Sequence, residues 1–149
     1  MQHENHVLEF DPIRRVPKWV AEHVSQNKTF GDTANCKLAR FDPDPTIAVL
    51  YTSQNKDFWG YGWSRGHMAP AGNDKHCQEA MNQTFYLTNI VPQDLDYNGN
   101  YWNCLEIYCR ELNFIQMFIL SQVHFGCLIL KIREIKEYYR LHWSLNLNH

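Results

Sequence analysis

Hydrophobic positions in the first half of the chain predict one helix followed by extended segments. Residues 13–26 carry apolar side chains at helical spacing, and Pro17 suits a first helical turn, where its missing N–H is not needed. The positions on this face are Val16, Trp19, Val20, His23 and Val24. Two X-Pro steps within residues 41–45 force an extended path, and residues 49–51 have the pattern of a short strand. Residues 58–63 are aromatic and contain two glycines, which is typical of a strand or hairpin with bulges.

The middle of the chain alternates between helical and strand patterns. Asn73 or Asp74 can cap a helix, and residues 85–91 alternate as a strand that the following proline ends. The buried face of the capped helix consists of Cys77, Ala80, Met81 and Thr84. A turn-rich loop at 96–100 then leads to a second helix at 101–112. This order of elements predicts an α+β fold rather than alternating βαβ units.

The segment from residue 113 onward differs in character. Residues 112–130 approach the length of a membrane span, but five polar side chains within them would be costly in lipid, so buried strands are the favoured interpretation. A basic amphipathic run follows at 131–139.

Composition limits the function classes. A chain of 149 residues is enough for one domain, and a formal charge of −2 means that any site for a polyanion must be local. The five cysteines are odd in number and lack zinc-site spacing, so we expect a reduced compartment with the cysteines as small core residues. Residues 1–12 are polar and acidic, and neither a secretory signal nor a mitochondrial presequence is visible.

The second predicted helix places polar groups on its apolar side. At 100° per residue, Trp102, Cys109 and the other apolar positions fall within about 40° of Asn98, and Glu106 lies about 80° away. A carboxylate at a buried margin needs a cation, a donor or water. Either Asn98 caps the helix while Glu106 pairs with an Arg or Lys, or both line a metal site with oxygen ligands, which suits Mg²⁺. The pattern alone leaves both explanations open.

Three sequence blocks resemble a known family. Residues 63–71, WSRGHMAPA, look like the signature of the DNA/RNA non-specific ββα-metal (His-Me finger) nucleases. Residues 84–93, TFYLTNIVPQ, and 98–106, NGNYWNCLE, are similar to the next two blocks of that family, in the same order. The likeness is strongest to the endonuclease G type and its exonuclease G-like branch, and a weaker likeness at 15–20 extends it over residues 13–112.

This resemblance implies a metal-dependent hydrolysis of phosphodiester bonds in DNA, with RNA also open. His67 matches the general base that activates water, and Asn98 matches the one direct protein ligand of Mg²⁺, for which Mn²⁺ could substitute. Glu106 matches the residue that holds a metal-bound water. Neutral histidine suits proton removal near pH 7, and the ion would offset charge on the phosphate.

The resemblance also implies roles around the metal. Arg65 matches the motif arginine that faces the phosphate, and Asn89 matches an asparagine that orients the site. Arg40 stands where relatives often carry a basic residue near the scissile group. The implied fold is a ββα-metal nuclease core with an antiparallel sheet and packed helices. A nucleic acid substrate, a homodimer and a mitochondrial location follow from the same likeness, whereas a membrane partner is not expected.

Two departures from the family pattern qualify these expectations. Ser64 replaces the aspartate of the wider family, as in the exonuclease G-like branch. An early strand ahead of Pro17 and the central strands after residue 112 are not apparent, so the core is expected to be incomplete. We therefore assign 1–112 to the N-terminal part of a nuclease domain and 113–149 to a divergent tail. The alternative function is a catalytically poor, truncated form that binds a full-length relative.

Overall fold

The protein folds into two antiparallel sheets with short helices packed around them. The computed structural model describes the backbone of residues 1–60, 62–111, 117–124 and 127–134, and the side chains of the first two ranges. The strands are β1 (His6–Asp11), β2 (Val16–Val24), β3 (Trp63–His67), β4 (Ile90–Asp94), β5 (Met117–His124) and β6 (Cys127–Glu134). One sheet has the order β1-β2-β5-β6, and β3 pairs with β4 in the other. The α+β class and the antiparallel sheet are confirmed.

The helices are short. The α-helices are α1 (Gln26–Thr29), α2 (Gln78–Thr84) and α3 (Asn103–Glu111), and α3 continues a π-helix at Tyr97–Trp102. Single 3₁₀ turns lie at Cys36–Leu38, Val49–Tyr51, Asn55–Phe58, Ala71–Asn73 and Leu87–Asn89. The two predicted helices in the middle of the chain therefore exist. The N-cap of α2 is Cys77 rather than Asn73 or Asp74, and the expected loop at 96–100 belongs to the π-helix.

The predicted helix at 13–26 is wrong, because this segment is mainly strand β2. Its β-branched valines favour a strand, and Val20 and Val24 are fully buried on one face of β2 together with Glu22. Pro17 lies opposite Phe10 where the register of β1 and β2 shifts, a place that tolerates a missing N–H. Strand β1 is an early strand ahead of Pro17, which corrects the expectation that none is present.

Three further local predictions differ from the structure. Residues 49–51 form a 3₁₀ turn, not a strand. Of the described residues within 58–63, only Trp63 is in a strand, because Gly60 and Gly62 have φ of 80° and 74° and break the extended path. The predicted strand at 85–91 begins only at Ile90, after the Leu87–Asn89 turn, and runs through Pro92 to Asp94. A two-stranded sheet has only edge strands, where proline is tolerated.

The strands after residue 112 join the main sheet. Strand β5 pairs with β2 along Trp19–Val24, and β6 pairs with β5, so the strand interpretation of 112–130 is confirmed where the backbone is described. Residues 131–134 continue β6, and the rest of the basic run lies outside the described residues. Within the described part of the chain, no helix has the length and apolar character needed to cross a bilayer. The division of the chain at residue 112 stays a prediction.

One apolar cluster joins the two sheets. Leu8 and Val20 of the main sheet pack with Val91 of β4 and with Met68 and Ala69, which directly follow β3. Met68 is fully buried, and burying a side chain of this size contributes about 1.5–3 kcal/mol. The strand pair that carries the sequence motif is therefore anchored on the main sheet.

The cysteines correct one expectation from composition. Cys36, Cys77, Cys104 and Cys109 are free thiols, but only Cys109 is buried, where it packs against Val24. Cys36 and Cys104 are exposed, so they are not small core residues as expected.

Candidate active site

Strand β3 directs Arg65 and His67 to one side and their neighbours to the other. The pairing of β3 with β4 is regular from Trp63 to His67, so side chains alternate between the two faces. Gly66 and Met68 point toward the core, where a Cβ added at Gly66 would lie 1.9 Å from Oε1 of the buried Gln93. Glycine at 66 therefore lets the two strands and Gln93 pack closely.

The guanidinium group of Arg65 is held in a fixed position. Its Cζ lies 4.0 Å from the centroid of the Phe41 ring, and its Nη1 donates a hydrogen bond of 2.7 Å to Oδ1 of Asn55. A cation over an aromatic face is attracted by the ring quadrupole. Arg65 is only half-buried, so its remaining donors can contact an anion from solvent.

The His67 ring lies in an aromatic pocket. Its centroid is 5.4 Å from that of Phe41 and 4.7 Å, edge-on, from that of Phe85. Its Nε2 is buried and has no hydrogen-bond partner among the described residues. Burial lowers the pKa of His67 to about 4, and the positive charge of Arg65 acts in the same direction. The ring is therefore neutral at pH 7 and can accept a proton.

Asn89 fixes the backbone that follows His67. Its Oδ1 accepts a hydrogen bond of 2.9 Å from the Ala69 N–H, and its Nδ2 donates to the carbonyl oxygens of Ala69 and Thr84 at 3.0 and 2.8 Å. The Met68 N–H also donates to the Asn89 carbonyl oxygen, at 2.9 Å. Asn89 is fully buried, so it positions residues 67–69 and does not itself face a substrate. Asn89 takes this inward position as the last residue of the Leu87–Asn89 3₁₀ turn, directly before β4.

Glu106 lines a small cavity that reaches the end of the motif. Met68 and Pro70 line the same cavity, as do Trp102 and Cys109 from the helical segment. Burial raises the pKa of Glu106 to about 7, and the nearby Arg110 charge opposes this rise. The cavity therefore brings together the first and third sequence blocks.

A series of polar contacts that was not predicted from the sequence extends from Glu106 into the main sheet, beginning with an ion pair and continuing through two hydrogen bonds. Arg110 Nη1 lies 4.0 Å from Glu106 Oε2 and 3.4 Å from Asn73 Oδ1, to which it donates. Asn73 Nδ2 donates in turn to Oε2 of the buried Glu22, at 3.0 Å. Burial raises the pKa of Glu22 to about 8. Glu22 could have been identified from strand alternation in β2, which places it on the same face as Val20 and Val24.

Asn98 lies inside the π-helix, so it does not cap a helix. The N-cap is Asp96, and nothing among the described residues hydrogen-bonds to the Asn98 amide. The ion pair expected for Glu106 in the non-metal explanation is present: Glu106 pairs with Arg110, with 4.0 Å between Oε2 and Nη1. No group of three or more His, Cys, Asp or Glu side chains within the described chain could hold a metal ion. Amide and carboxylate oxygens are ligand types that Mg²⁺ accepts while it keeps several of its waters, but Asn98 does not line the cavity that Glu106 shares with Met68 and Pro70.

Arg40 is exposed and directly precedes Phe41, whose ring packs between Arg65 and His67. The Arg40 side chain makes no hydrogen bond with the described residues. The structure thus brings Arg65 and His67 together on one strand face, with a second free arginine on the adjoining segment. Phe41 and Asn55, which contact this pair, lie outside the three sequence blocks, whereas Phe85 belongs to the second block.

Comparison with known proteins identifies relatives of this arrangement. The family model described as DNA/RNA non-specific endonuclease matches residues 1–120, which extends beyond the predicted 13–112 at both ends. The chain is 56% identical over 119 residues to the mitochondrial nuclease EXOG of Homo sapiens, covering 78% of this chain and 32% of that protein. It is 39% identical over 123 residues to the mitochondrial endonuclease G of Caenorhabditis elegans, covering 80% of this chain and 40% of that protein.

A solved structure shows the same architecture. A chain from the crystal structure of the EndoG/EndoGI complex superposes with a TM-score of 0.78 at 32% sequence identity, covering 88% of this chain and 58% of that chain. The present chain spans about a third of the length of the EXOG relatives that it matches.

Proposed function

Because the chain belongs to the DNA/RNA non-specific endonuclease family, we propose that it hydrolyses phosphodiester bonds in nucleic acid, with His67 as the general base. One observation carries the proposal. The His67 ring is kept neutral by burial, on the same strand face as Arg65, and the backbone that follows it is clamped by Asn89. A base of this type needs to be unprotonated and fixed before water arrives.

His67 is proposed to accept the proton of the attacking water. With a pKa of about 4, it is fully unprotonated at pH 7, but it is then a weaker base than ordinary histidine. The negative charge of a bound phosphate would raise this pKa toward neutrality, since an opposite charge nearby favours the protonated ring. Substrate binding would therefore strengthen the base at the moment when it is needed.

Arg65 and Arg40 are proposed to bind phosphate. The Arg65 guanidinium is already oriented by Phe41 and Asn55, so little conformational entropy is lost when its free donors bind the scissile phosphate. Arg40 is exposed and would contact the same or the adjoining phosphate. Such local positive charge compensates for a net charge of −2.

Asn98 is proposed to ligate Mg²⁺ directly through its amide oxygen, and Glu106 to hold the ion through water. Mn²⁺ would be accepted by the same oxygen donors. When bound, the ion would offset the negative charge that develops on the leaving oxygen. Arg110 keeps the Glu106 carboxylate at the edge of the cavity rather than free in solvent.

The experiment compares matched variants on single- and double-stranded DNA and RNA, with Mg²⁺ or EDTA. We expect His67→Ala to lower kcat by about 10²–10⁴-fold, whereas His76→Ala, outside the motif, should retain activity. Asn98→Ala should raise the Mg²⁺ concentration needed for half-maximal activity, and Asn100→Ala, in the same π-helix, should not. Cleavage that survives both EDTA and His67→Ala would refute the proposal.

The location and the assembly state are also proposed from the relatives. Several of them are named mitochondrial nucleases, so we propose a mitochondrial location, which organelle fractionation would test. A homodimer is proposed by family likeness, and sedimentation analysis would measure it.

A further inference from the structure

Trp63 lies on the same strand face as the proposed catalytic pair. It is the first residue of β3, and the regular pairing from Trp63–Asp94 to His67–Ile90 places Trp63, Arg65 and His67 in one row. Successive side chains on one face of a strand are about 7 Å apart, because each residue rises about 3.3–3.4 Å. The indole is therefore two residues beyond Arg65 and four beyond His67.

The Trp63 ring is unlike the other aromatic rings near the motif. Phe41 and Phe85 pack against His67, whereas Trp63 is 51% exposed and contacts no other ring of the described side chains. Several aromatic rings of this protein are exposed, but Trp63 is the exposed ring that shares a strand face with Arg65 and His67. Its face is available to a planar ligand.

Asp94, the acidic residue next to Trp63 in the sheet, repels a nucleic acid less strongly than its position suggests. Asp94 is the strand partner of Trp63, but its Oδ1 accepts hydrogen bonds of 3.0 Å from the backbone N–H groups of Asp96 and Tyr97. The carboxylate is thus turned toward the start of the π-helix, where its charge is compensated in part by the helix N-terminus. Exposed Pro92, opposite Arg65, adds an apolar surface to the row.

We propose that Trp63 stacks on a nucleobase of the nucleotide adjoining the scissile phosphate, on the Arg65 side of the site. This inference rests on the proposed nuclease function. Stacking requires a base with a free face, which an interior base pair of a duplex does not offer. The substrate class favoured by Trp63 is therefore single-stranded nucleic acid, including frayed ends and gaps.

The expected effect is measurable. Stacking of one base on an aromatic side chain contributes about 1–3 kcal/mol by alanine substitution. The lower part of this range, about 1–2 kcal/mol, applies to a half-exposed ring and corresponds to about 5- to 25-fold in Kd or KM. Because the ring does not touch the reacting atoms, kcat should change little.

The experiment measures binding and cleavage separately. Trp63→Ala, Trp63→Phe and the control Trp59→Ala, which removes another exposed tryptophan, are compared after circular dichroism confirms folding. Binding is measured in EDTA by fluorescence anisotropy with an all-thymidine oligonucleotide and an abasic oligonucleotide of equal length. Trp63→Ala should weaken binding to the thymidine strand about 5- to 25-fold and leave the abasic strand unchanged. Trp63→Phe should lie between, and Trp59→Ala should match the wild type.

Two outcomes would overturn the inference: equal binding of wild type and Trp63→Ala to the thymidine strand, or an equal loss on the abasic strand. Cleavage separates this failure from that of the proposed function. If the wild type cuts single strands and His67→Ala does not, while Trp63→Ala keeps the wild-type KM, only the stacking role is wrong. If nothing is cut, the nuclease proposal fails, and the binding data still decide the role of Trp63.

Discussion

Replacement of Asn89 by alanine should destabilise the protein more than the loss of any single surface contact. The side chain makes three hydrogen bonds to the backbone of Ala69 and Thr84, and all three residues are buried. A net contribution of about 1 kcal/mol for each bond predicts a loss of about 3 kcal/mol, with more if the stranded groups find no water. That is a large share of the 5–15 kcal/mol typical of a domain.

The assay is urea unfolding followed by tryptophan fluorescence and circular dichroism. The matched control is Asn82→Ala in α2, because the Asn82 side chain accepts only one hydrogen bond, from Gln78. We expect that control to lose about 1 kcal/mol or less. Asn89→Asp tests the donors specifically, since an ionised carboxylate can accept from Ala69 N–H but cannot donate to the two carbonyl groups.

Loss of the Asn89 hydrogen bonds should also affect activity. Under conditions where Asn89→Ala remains folded, nuclease activity should fall, because residues 67–69 lose the bonds that hold them. If Asn89→Ala lowers the free energy of unfolding no more than Asn82→Ala does, the Asn89 side chain does not hold the backbone after His67. Full activity per folded molecule would refute its role in positioning His67.

The environments of His67, Asp74 and the cysteines have measurable consequences. Removal of the Arg65 charge by Arg65→Met should raise the pKa of His67 from about 4, as measured by NMR titration, and an unchanged value would contradict the stated cause. Burial raises the pKa of Asp74 to about 7, so the folded state binds more protons than the unfolded state between about pH 4 and 7, and stability should fall as pH rises through that window. Glu22 and Glu106, whose pKa values burial also raises, contribute to stability in the same direction, so Asp74→Asn should make the slope less steep by at most about 1.4 kcal/mol per pH unit in urea unfolding series without metal. Cys36 should react with a thiol reagent in the native state, whereas Cys109, with a pKa raised to about 11 by burial, should react only on unfolding.

The parts of the fold that sequence predicts well are those with one consistent signal. Helices α2 and α3 and the α+β class agree with the pattern of apolar positions. The motif at 63–71 identifies the family because several unusual residues occur in a fixed order, and the family match confirms it. Such agreement does not depend on contacts between distant parts of the chain.

The segment 13–26 shows where periodicity fails. Val16, Val20 and Val24 are four residues apart, a spacing that fits one turn of a helix and also the even-numbered positions of a strand. The pairing partner decides between them, and here β1 and β5 lie on either side of β2. The β-branched side chains favour the strand, whereas Pro17 is also compatible with the first turn of a helix.

The candidate site was only partly predictable for a related reason. Arg65, His67 and Asn89 belong to the motif blocks, but the aromatic pocket of Phe41 and Phe85 forms by contacts across more than forty residues. The Glu22–Asn73–Arg110 series likewise joins three separate segments. No local pattern reports such contacts, because they depend on how the sheets pack.

Two neighbouring residues of the motif serve opposite sides of one strand. His67 faces the site, while Met68 is fully buried among residues of both sheets. Transplanting residues 65–70 onto another protein would therefore fail unless the recipient offered a matching apolar pocket for Met68. For the same reason, bulkier side chains in the apolar pocket around Met68 would change the orientation of the His67 imidazole without altering any polar atom around it.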